Sequence, residues 1–174
     1  QVDFQGRLVG AALSPAGLWR QTSPKFGRGN VLAQALDESL FAGATFGDLA
    51  ALTGRPYLIV GATDLSSGAE FDFTSEQFEL LCSSIDAVPL SFAVAASSAV
   101  PLLFSPLSVQ NHRSDCPRSA PALSGQPPGP GDNARMRLVK GELASLASGD
   151  RRFVHLIDGG VSDNLGTRRI ADYV

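Results

Sequence analysis

The sequence has 174 residues, about the size of one ordinary domain, and a formal net charge of −3 at pH 7. Its lysines and arginines are scattered rather than gathered into a basic stripe, so a nucleic-acid partner is not expected. Its longest apolar runs, such as residues 92–100, are too short to span a bilayer as helices. These properties indicate a soluble globular chain.

The first residues of the sequence show no regular pattern. Residues 1–28 mix glycine, proline and polar side chains without a clean period, which indicates irregular structure entering a fold already under way. Residues 1–10 also lack the charged start and apolar region of a signal peptide. We therefore interpret the N-terminus as processed or cut.

Two helical segments are predicted next. From Asn30, a suitable N-cap, apolar residues recur at helical spacing to about Phe41. Thr45 and Asp48 have the spacing of a capping box, which predicts a short helical turn that Gly54 closes.

A pair of strands follows. Residues 57–63 form a nearly continuous β-prone apolar run, which predicts a central strand covered on both faces. Residues 70–74 alternate polar and apolar, which suits a half-exposed strand paired with it. Thr74 and Gln77 then have capping-box spacing for a helix over residues 75–84.

The second half of the chain predicts two helices, a long loop and a strand. Residues 89–99 are rich in alanine and serine, which predicts a closely packed helix that Pro101 ends. Residues 111–133 are rich in proline and poor in large apolar side chains, which predicts a long surface loop. Gly149 is a C-cap candidate, and residues 153–157 predict a second buried strand. An amphipathic helix before Gly149 is indicated by Met136, Val139, Leu143 and Leu146.

Strands separated by helices, with apolar rather than alternating strand patterns, predict a layered α/β fold. We expect a mostly parallel central sheet flanked by helices. Cys82 and Cys116 belong to no CxxC or Cys/His cluster, so no metal site is predicted. Sequence alone leaves open whether these two cysteines form a disulfide.

Asp158 is the main candidate for chemistry. It directly follows the second apolar strand, and functional groups of open α/β sheets collect where strands end. Gly159 and Gly160 come next, and their missing side chains allow a tight turn and the close approach of another backbone or a substrate. A structural interpretation also fits, in which Asp158 only caps the turn.

Three segments of the chain resemble patatin-like phospholipases of the bacterial type. The first is RPYLIVGATDL at positions 55–65. The second is AASSAVP at positions 95–101, with Phe104 and Pro106 after it. The third is HLIDGGVSDNLG at positions 155–166, which is similar to the aspartate block of that family.

The resemblance implies a Ser-Asp dyad that hydrolyses lipid or phospholipid esters without a histidine or a cofactor. Asp158 would be the base, and Gly159 and Gly160 the active-site turn. No Gly-x-Ser-x-Gly nucleophile motif occurs in the chain, so we expect residues 1–174 to be the inactive C-terminal portion of one catalytic domain. The resemblance also implies contact with a membrane surface and a possible place in the bacterial cell envelope.

Other polar residues are weaker candidates for chemistry than Asp158. Ser97 and Ser98 lack the glycines of a nucleophile elbow. His155 is expected to be buried and to point away from Asp158, because side chains alternate along a strand. His112 lies in the predicted loop, and Asp64 is interpreted as bonding the turn that follows it.

Two rival functions remain. In one, the chain is a non-catalytic relative that binds lipid or a protein partner. In the other, a nucleotide phosphate binds at a helix beginning near Thr167, but no Walker lysine or dinucleotide fingerprint accompanies it. An incomplete domain would also expose apolar surface, so we expect poor solubility or self-association; the oligomeric state itself stays open.

Overall fold

The computed structural model describes residues 27–54, 57–116 and 127–165, together with Gly10. The predictions for residues 1–26, for the centre of the proline-rich segment and for a helix near Thr167 lie outside these residues. The elements below are numbered in chain order.

The first predicted helix is confirmed, although Asn30 is not its N-cap. Helix α1 spans Arg28–Leu36 and continues as a π-helical turn over Asp37–Phe41. Gly27 occupies the N-cap position, and its N–H donates to Asn30 Oδ1 at 3.0 Å. Asn30 lies in the first turn of the helix, and its side chain accepts a hydrogen bond from the backbone of the N-cap residue. It therefore takes part in capping, as its residue type suggests, without occupying the N-cap position.

Two short helices begin at threonine caps, as the sequence predicts. Helix α2 spans Phe46–Ala51, and Thr45 and Asp48 exchange backbone-to-side-chain hydrogen bonds in a complete capping box. Helix α3 spans Ser75–Leu80, and the Thr74 hydroxyl accepts from the Gln77 N–H. The Gln77 side chain instead accepts from the Asp72 N–H, so this second capping box is only half formed.

Helix α3 ends at Leu80, earlier than predicted, and a disulfide-bonded cysteine in the left-handed conformation follows it. Cys82 has a φ of +54° and is bonded to Cys116, with the two Cα atoms 6.0 Å apart. The guanidinium of Arg113 donates to the carbonyls of Glu79 and Leu80 at the end of α3. Residues 111–116 are therefore anchored to the end of α3, with Asn111 and Arg113 buried and His112, Ser114 and Asp115 exposed.

The four strands within the described residues form one sheet in the order β2-β1-β4-β3, and all three pairs are antiparallel. The strands are β1 Gly61–Asp64, β2 Glu70–Asp72, β3 Leu107–Gln110 and β4 Phe153–Asp158. The predicted mostly parallel sheet is wrong. An apolar run indicates burial on both faces but not strand direction, and the tight turn at Gly68, with φ +72°, makes β1 and β2 a hairpin.

The individual strand predictions fare better than the sheet topology. Strand β1 is fully buried and lies between β2 and β4, as expected of a central strand. It is shorter than predicted, because Tyr57 and Leu58 are exposed and lie outside it. Strand β2 pairs with β1 as predicted, with Phe71 buried between two partly buried acidic residues.

Helices and phenylalanines cover the sheet. Helix α4, Leu90–Ser97, is the predicted small-residue helix, and its fully buried alanines let it pack closely against α1, β1 and β4. Five aromatic rings form stacked, tilted and edge-on pairs with centroids 5.5–6.2 Å apart, which is the favourable range for such pairs. These rings belong to Phe46, Phe71, Phe73, Phe78 and Phe92.

The amphipathic helix is confirmed, but half of its predicted apolar stripe is exposed. Helix α5 spans Ala134–Ser148 and ends at Gly149, whose φ of +77° makes it the predicted C-cap. Leu143 and Leu146 pack on the core, whereas Met136 and Val139 face outward. The helix therefore packs through its C-terminal half.

Reduction of the disulfide is expected to destabilise the fold by about 3–4 kcal/mol, because the bond closes a loop with a sequence separation of 34. Urea unfolding with and without dithiothreitol would measure the change. The double variant Cys82→Ser/Cys116→Ser should already show the loss and should not respond to the reductant. Equal stability of the oxidised and reduced wild type would contradict the prediction.

Candidate functional site

Asp158 is the last residue of β4, and its backbone is tied to the end of helix α4. The Asp158 N–H donates to the Ala99 carbonyl at 3.0 Å, and the Gly159 N–H donates to the Ser97 carbonyl at 3.2 Å. On the other side, Asp158 is paired with Ala62 of β1. The half-buried aspartate therefore sits between two segments that are distant in sequence.

The Asp158 carboxylate takes part in its own turn. Oδ1 accepts from the Gly160 N–H at 2.7 Å, the geometry of an aspartate that stabilises a turn two residues on. This hydrogen bond corresponds to the structural interpretation of Asp158, in which it caps the turn. It uses one of the two carboxylate oxygens. Helix α6, Gly160–Asp163, begins directly after it.

Gly159 lies where no side chain fits. A Cβ atom built there would be 2.4 Å from the Gly61 carbonyl oxygen, which is backbone and cannot move aside. At Gly160, a Cβ atom would be 3.0 Å from Asn164 Oδ1 and 3.1 Å from Asp158 Oδ1, both of which are side-chain atoms. The close approach of another backbone that the sequence predicts is therefore found at Gly159, whereas Gly160 is close only to side-chain atoms.

Thr63 of β1 and Ser162 of helix α6 hold this turn, and the sequence interpretation missed both. The buried Thr63 hydroxyl donates to the Asp158 carbonyl at 2.8 Å and accepts from the Ser162 N–H at 3.2 Å. The Ser162 hydroxyl donates to the Gly159 carbonyl. Both residues belong to the segments that carry the family resemblance, so their position there was the available signal.

Ser97 and Ser98 lie near Asp158 but do not engage it. Ser97 is the last residue of α4 and Ser98 its C-cap, and the contact to the turn runs through the Ser97 carbonyl. Within the part of the chain that the structure describes, no serine or threonine hydroxyl donates to the Asp158 carboxylate. Neither serine is brought into position as a nucleophile.

The two histidines lie elsewhere. His155 Nδ1 is 2.8 Å from Ser108 Oγ in a cross-strand pair on the exposed face of β4. The prediction that His155 is buried is wrong, because that face of the strand is uncovered at this position. The His112 N–H donates to the Leu81 carbonyl, so its backbone belongs to the region anchored by the disulfide.

A buried ion cluster of Asp64, Arg151 and Glu142 lies at the other end of β1. Arg151 bridges the two carboxylates, contacting Asp64 through Nη1 and Glu142 through Nη2 at 2.5 Å. Asp64 also accepts from the Ser66 N–H at 2.9 Å, which confirms the predicted turn bond. In the antiparallel pairing of β1 with β4, Asp64 lies opposite Leu156, two residues before Asp158, and the hydrogen bonds of the two carboxylates go to different partners.

Burial and the short contacts shift the pKa values of this cluster in opposite directions. Burial acts to raise the pKa of Asp64, but hydrogen bonds with Glu142, the Ser66 N–H and Arg151 hold it below its ordinary value. Burial, together with the neighbouring Asp64 carboxylate, raises the pKa of Glu142. Glu142 is therefore the carboxyl of the pair that takes up a proton first.

A surface depression lies beside this cluster. It has a volume of about 340 Å³ and is lined on one side by Ser66, Ser67 and Arg151 and on the other by helix α5. Among the described residues, no group of three or more histidine, cysteine or acidic side chains is arranged to hold a metal ion. No helix in the described ranges is long and apolar enough to cross a membrane.

Comparison with known proteins gives no assignment: no protein-family model matches the chain, and no curated protein or solved structure matches it. The resemblance to patatin-like phospholipases therefore stays a prediction.

The contrast between the two glycines can be tested directly. Gly159→Ala is expected to cost about 1–3 kcal/mol or more of unfolding free energy, because its Cβ would overlap the Gly61 carbonyl. Gly160→Ala should cost clearly less, because only side-chain atoms must move. Urea denaturation of both variants would measure the difference, and equal losses would contradict the geometry of the turn.

Ionisation of Glu142 is expected to weaken the fold as the pH rises. Because the folded state raises the pKa of Glu142 above its ordinary 4.5, the folded protein binds this proton more tightly than the unfolded chain. Glu142→Gln removes the contribution of this proton to the pH dependence of stability and keeps an acceptor for Arg151. The unfolding free energy of Glu142→Gln relative to wild type should therefore increase as the pH rises from 4.5, and a pH-independent difference would refute this.

Proposed function

We propose that the chain supplies the base of a lipid acyl hydrolase with a Ser-Asp dyad, and that Asp158 is that base. The observation that carries the proposal is the meeting of the three resembling segments at one place. Ala99 and Ser97 of the second segment accept hydrogen bonds from Asp158 and Gly159 of the third. Thr63 and Gly61 of the first segment contact the same turn.

The convergence matters because these segments are far apart in the sequence. Turn formation alone would require Asp158, Gly159 and Gly160, but it would not require the other two segments to close around them. A site that must hold a carboxylate at a fixed position gains from such support by neighbouring backbone and hydroxyl groups. The all-antiparallel sheet departs from the resemblance, so the proposal rests on this local arrangement and not on the fold.

In the proposed reaction, a serine hydroxyl attacks the carbonyl carbon of an acyl ester while its proton passes to the Asp158 carboxylate. The same proton then moves to the oxygen of the leaving alcohol, and an acyl-serine remains. Water then attacks the acyl-serine and gives one proton to Asp158, and that proton passes to the serine oxygen as the acyl–oxygen bond breaks and the fatty acid leaves. The serine and the donors that stabilise the oxyanion would come from sequence outside these 174 residues.

The rival function is a non-catalytic relative that binds lipid or a protein partner. One observation favours it, because the Asp158 carboxylate already accepts the Gly160 N–H and so has a structural task. Replacement of Asp158 distinguishes the two functions. In a non-catalytic protein it would change the stability of the fold but remove no activity.

The test compares the 174-residue chain with a version extended upstream along its own coding sequence, both assayed on a chromogenic fatty-acyl ester. We expect activity only in the extended protein, and a loss of about 10²–10⁴-fold in its Asp158→Asn variant, because general base catalysis contributes that much. Asp150→Asn is the matched control, since Asp150 is an exposed acid just before β4.

Two results would overturn the proposal. Equal activity of the short and extended chains would contradict the assignment of the serine to another part of the protein. Full activity of a folded Asp158→Asn variant would remove Asp158 from the reaction.

A further inference from the structure

Helix α5 is attached to the sheet by ion pairs at two points of one face. Arg135 near its start pairs with Glu70 of β2 at 3.6 Å. Two turns later, Glu142 pairs with Arg151, which also contacts Asp64 of β1. Between these attachments, the depression described above separates α5 from the turn that joins β1 to β2. We call this depression the α5 cleft.

A glycine keeps the α5 cleft open. Gly141 lines it and lies inside the helix, where glycine is less stable than alanine. A Cβ atom at Gly141 would meet no described atom within 4 Å, in contrast to the crowded position of Gly159. Packing within the described chain therefore does not require this glycine. Its effect is to leave room for another molecule beside the helix backbone.

Both walls of the α5 cleft are held in place by the chain itself. In the turn between β1 and β2, the Ser66 N–H donates to Asp64 Oδ1 at 2.9 Å and the Gly68 N–H donates to the Asp64 carbonyl at 2.8 Å. The Ser67 hydroxyl accepts from the Ala69 N–H at 3.1 Å. The two ion-pair attachments hold the helix wall. The cleft is therefore already formed, so a ligand would not have to organise it.

The charges around the α5 cleft favour a ligand with one negative charge. Asp64 and Glu142 are both engaged by Arg151. Arg137 also lines the cleft, and within the described part of the chain its exposed side chain forms no hydrogen bond or ion pair. A guanidinium group binds a carboxylate through two parallel hydrogen bonds. A phosphate dianion fits less well, because the Glu142 carboxylate also lines the cleft.

The remaining lining favours a small ligand with an apolar part. The side chain of Leu138 is 42% exposed and lines the α5 cleft one helical turn before Gly141. The cleft volume of about 340 Å³ lies at the lower end of the range of about 300–1,000 Å³ that is usual for ligand sites. Such sites combine apolar contact with a few polar groups that orient the ligand.

We infer that the α5 cleft binds a small carboxylate with a short hydrocarbon chain. The carboxylate contacts the Arg137 guanidinium, and the hydrocarbon lies against Leu138 and the open backbone at Gly141. This site is separate from the Asp158 turn, and the inference does not rest on the proposed lipid hydrolysis.

The test is titration of the 174-residue chain with hexanoate, followed by amide chemical shifts in NMR spectra. We expect saturable shifts at Ser66, Ser67 and Gly141, and weaker binding of 1-hexanol and hexylamine. Arg137→Gln should weaken hexanoate binding by about 10-fold, because a hydrogen-bonded charge is lost. Arg152→Gln is the matched control, since Arg152 is an exposed arginine that does not line the cleft, and it should bind hexanoate as wild type does.

A second variant fills the α5 cleft. Gly141→Leu places a side chain in the open space and should abolish the hexanoate shifts. Leucine is a better helix former than glycine, so the midpoint of urea unfolding should not fall below that of wild type. Loss of binding without loss of stability separates a filled site from a damaged fold.

Three results would overturn the inference. Absence of saturable shifts in wild type would remove the site. Equal affinity for hexanoate and 1-hexanol, or equal effects of Arg137→Gln and Arg152→Gln, would remove the recognition of a carboxylate. Hexanoate binding by a folded Gly141→Leu variant with wild-type affinity would place the ligand elsewhere.

Discussion

The close contact between Gly159 and the Gly61 carbonyl constrains the rest of the candidate site. With no Cβ at Gly159, the turn after β4 can lie directly on the start of β1. That position lets Thr63 reach the Asp158 carbonyl and lets α4 accept the two N–H groups of the turn. The direction of the Asp158 side chain follows from these backbone contacts, so the acid is fixed by packing and not by a charged partner.

The two aspartates of the β1–β4 pair have different surroundings. Asp158 lies beside a neutral turn and an uncharged helix terminus. Two residues away along the pair, Asp64 and Glu142 enclose Arg151, and the three charges connect β1 to helix α5. Removing one member of this cluster would leave an uncompensated charge in a largely buried position, so the cluster is sensitive to substitution.

Local signals in the sequence predicted the elements well and their arrangement poorly. The capping residues Thr45 and Thr74, the C-cap Gly149 and the small-residue helix were readable because their causes lie within a few neighbouring residues. Strand direction depends on connections and partners that an apolar run does not encode, so the parallel sheet was wrong. Likewise, the position of Asp158 at a strand end was readable, but Thr63 was missed because its contact joins strands far apart in sequence.

The covalent link between Cys82 and Cys116 bears on how the protein is made. Disulfides persist in oxidising surroundings such as the periplasm or the extracellular space, and cytosolic thiols are kept reduced. Protein produced in a reducing cytoplasm would carry two thiols, and residues 111–116 would lose their covalent link to the end of α3. Preparations from oxidising and reducing compartments would then differ in conformation at these residues although their sequences are identical. The number of free thiols should therefore be measured in every sample.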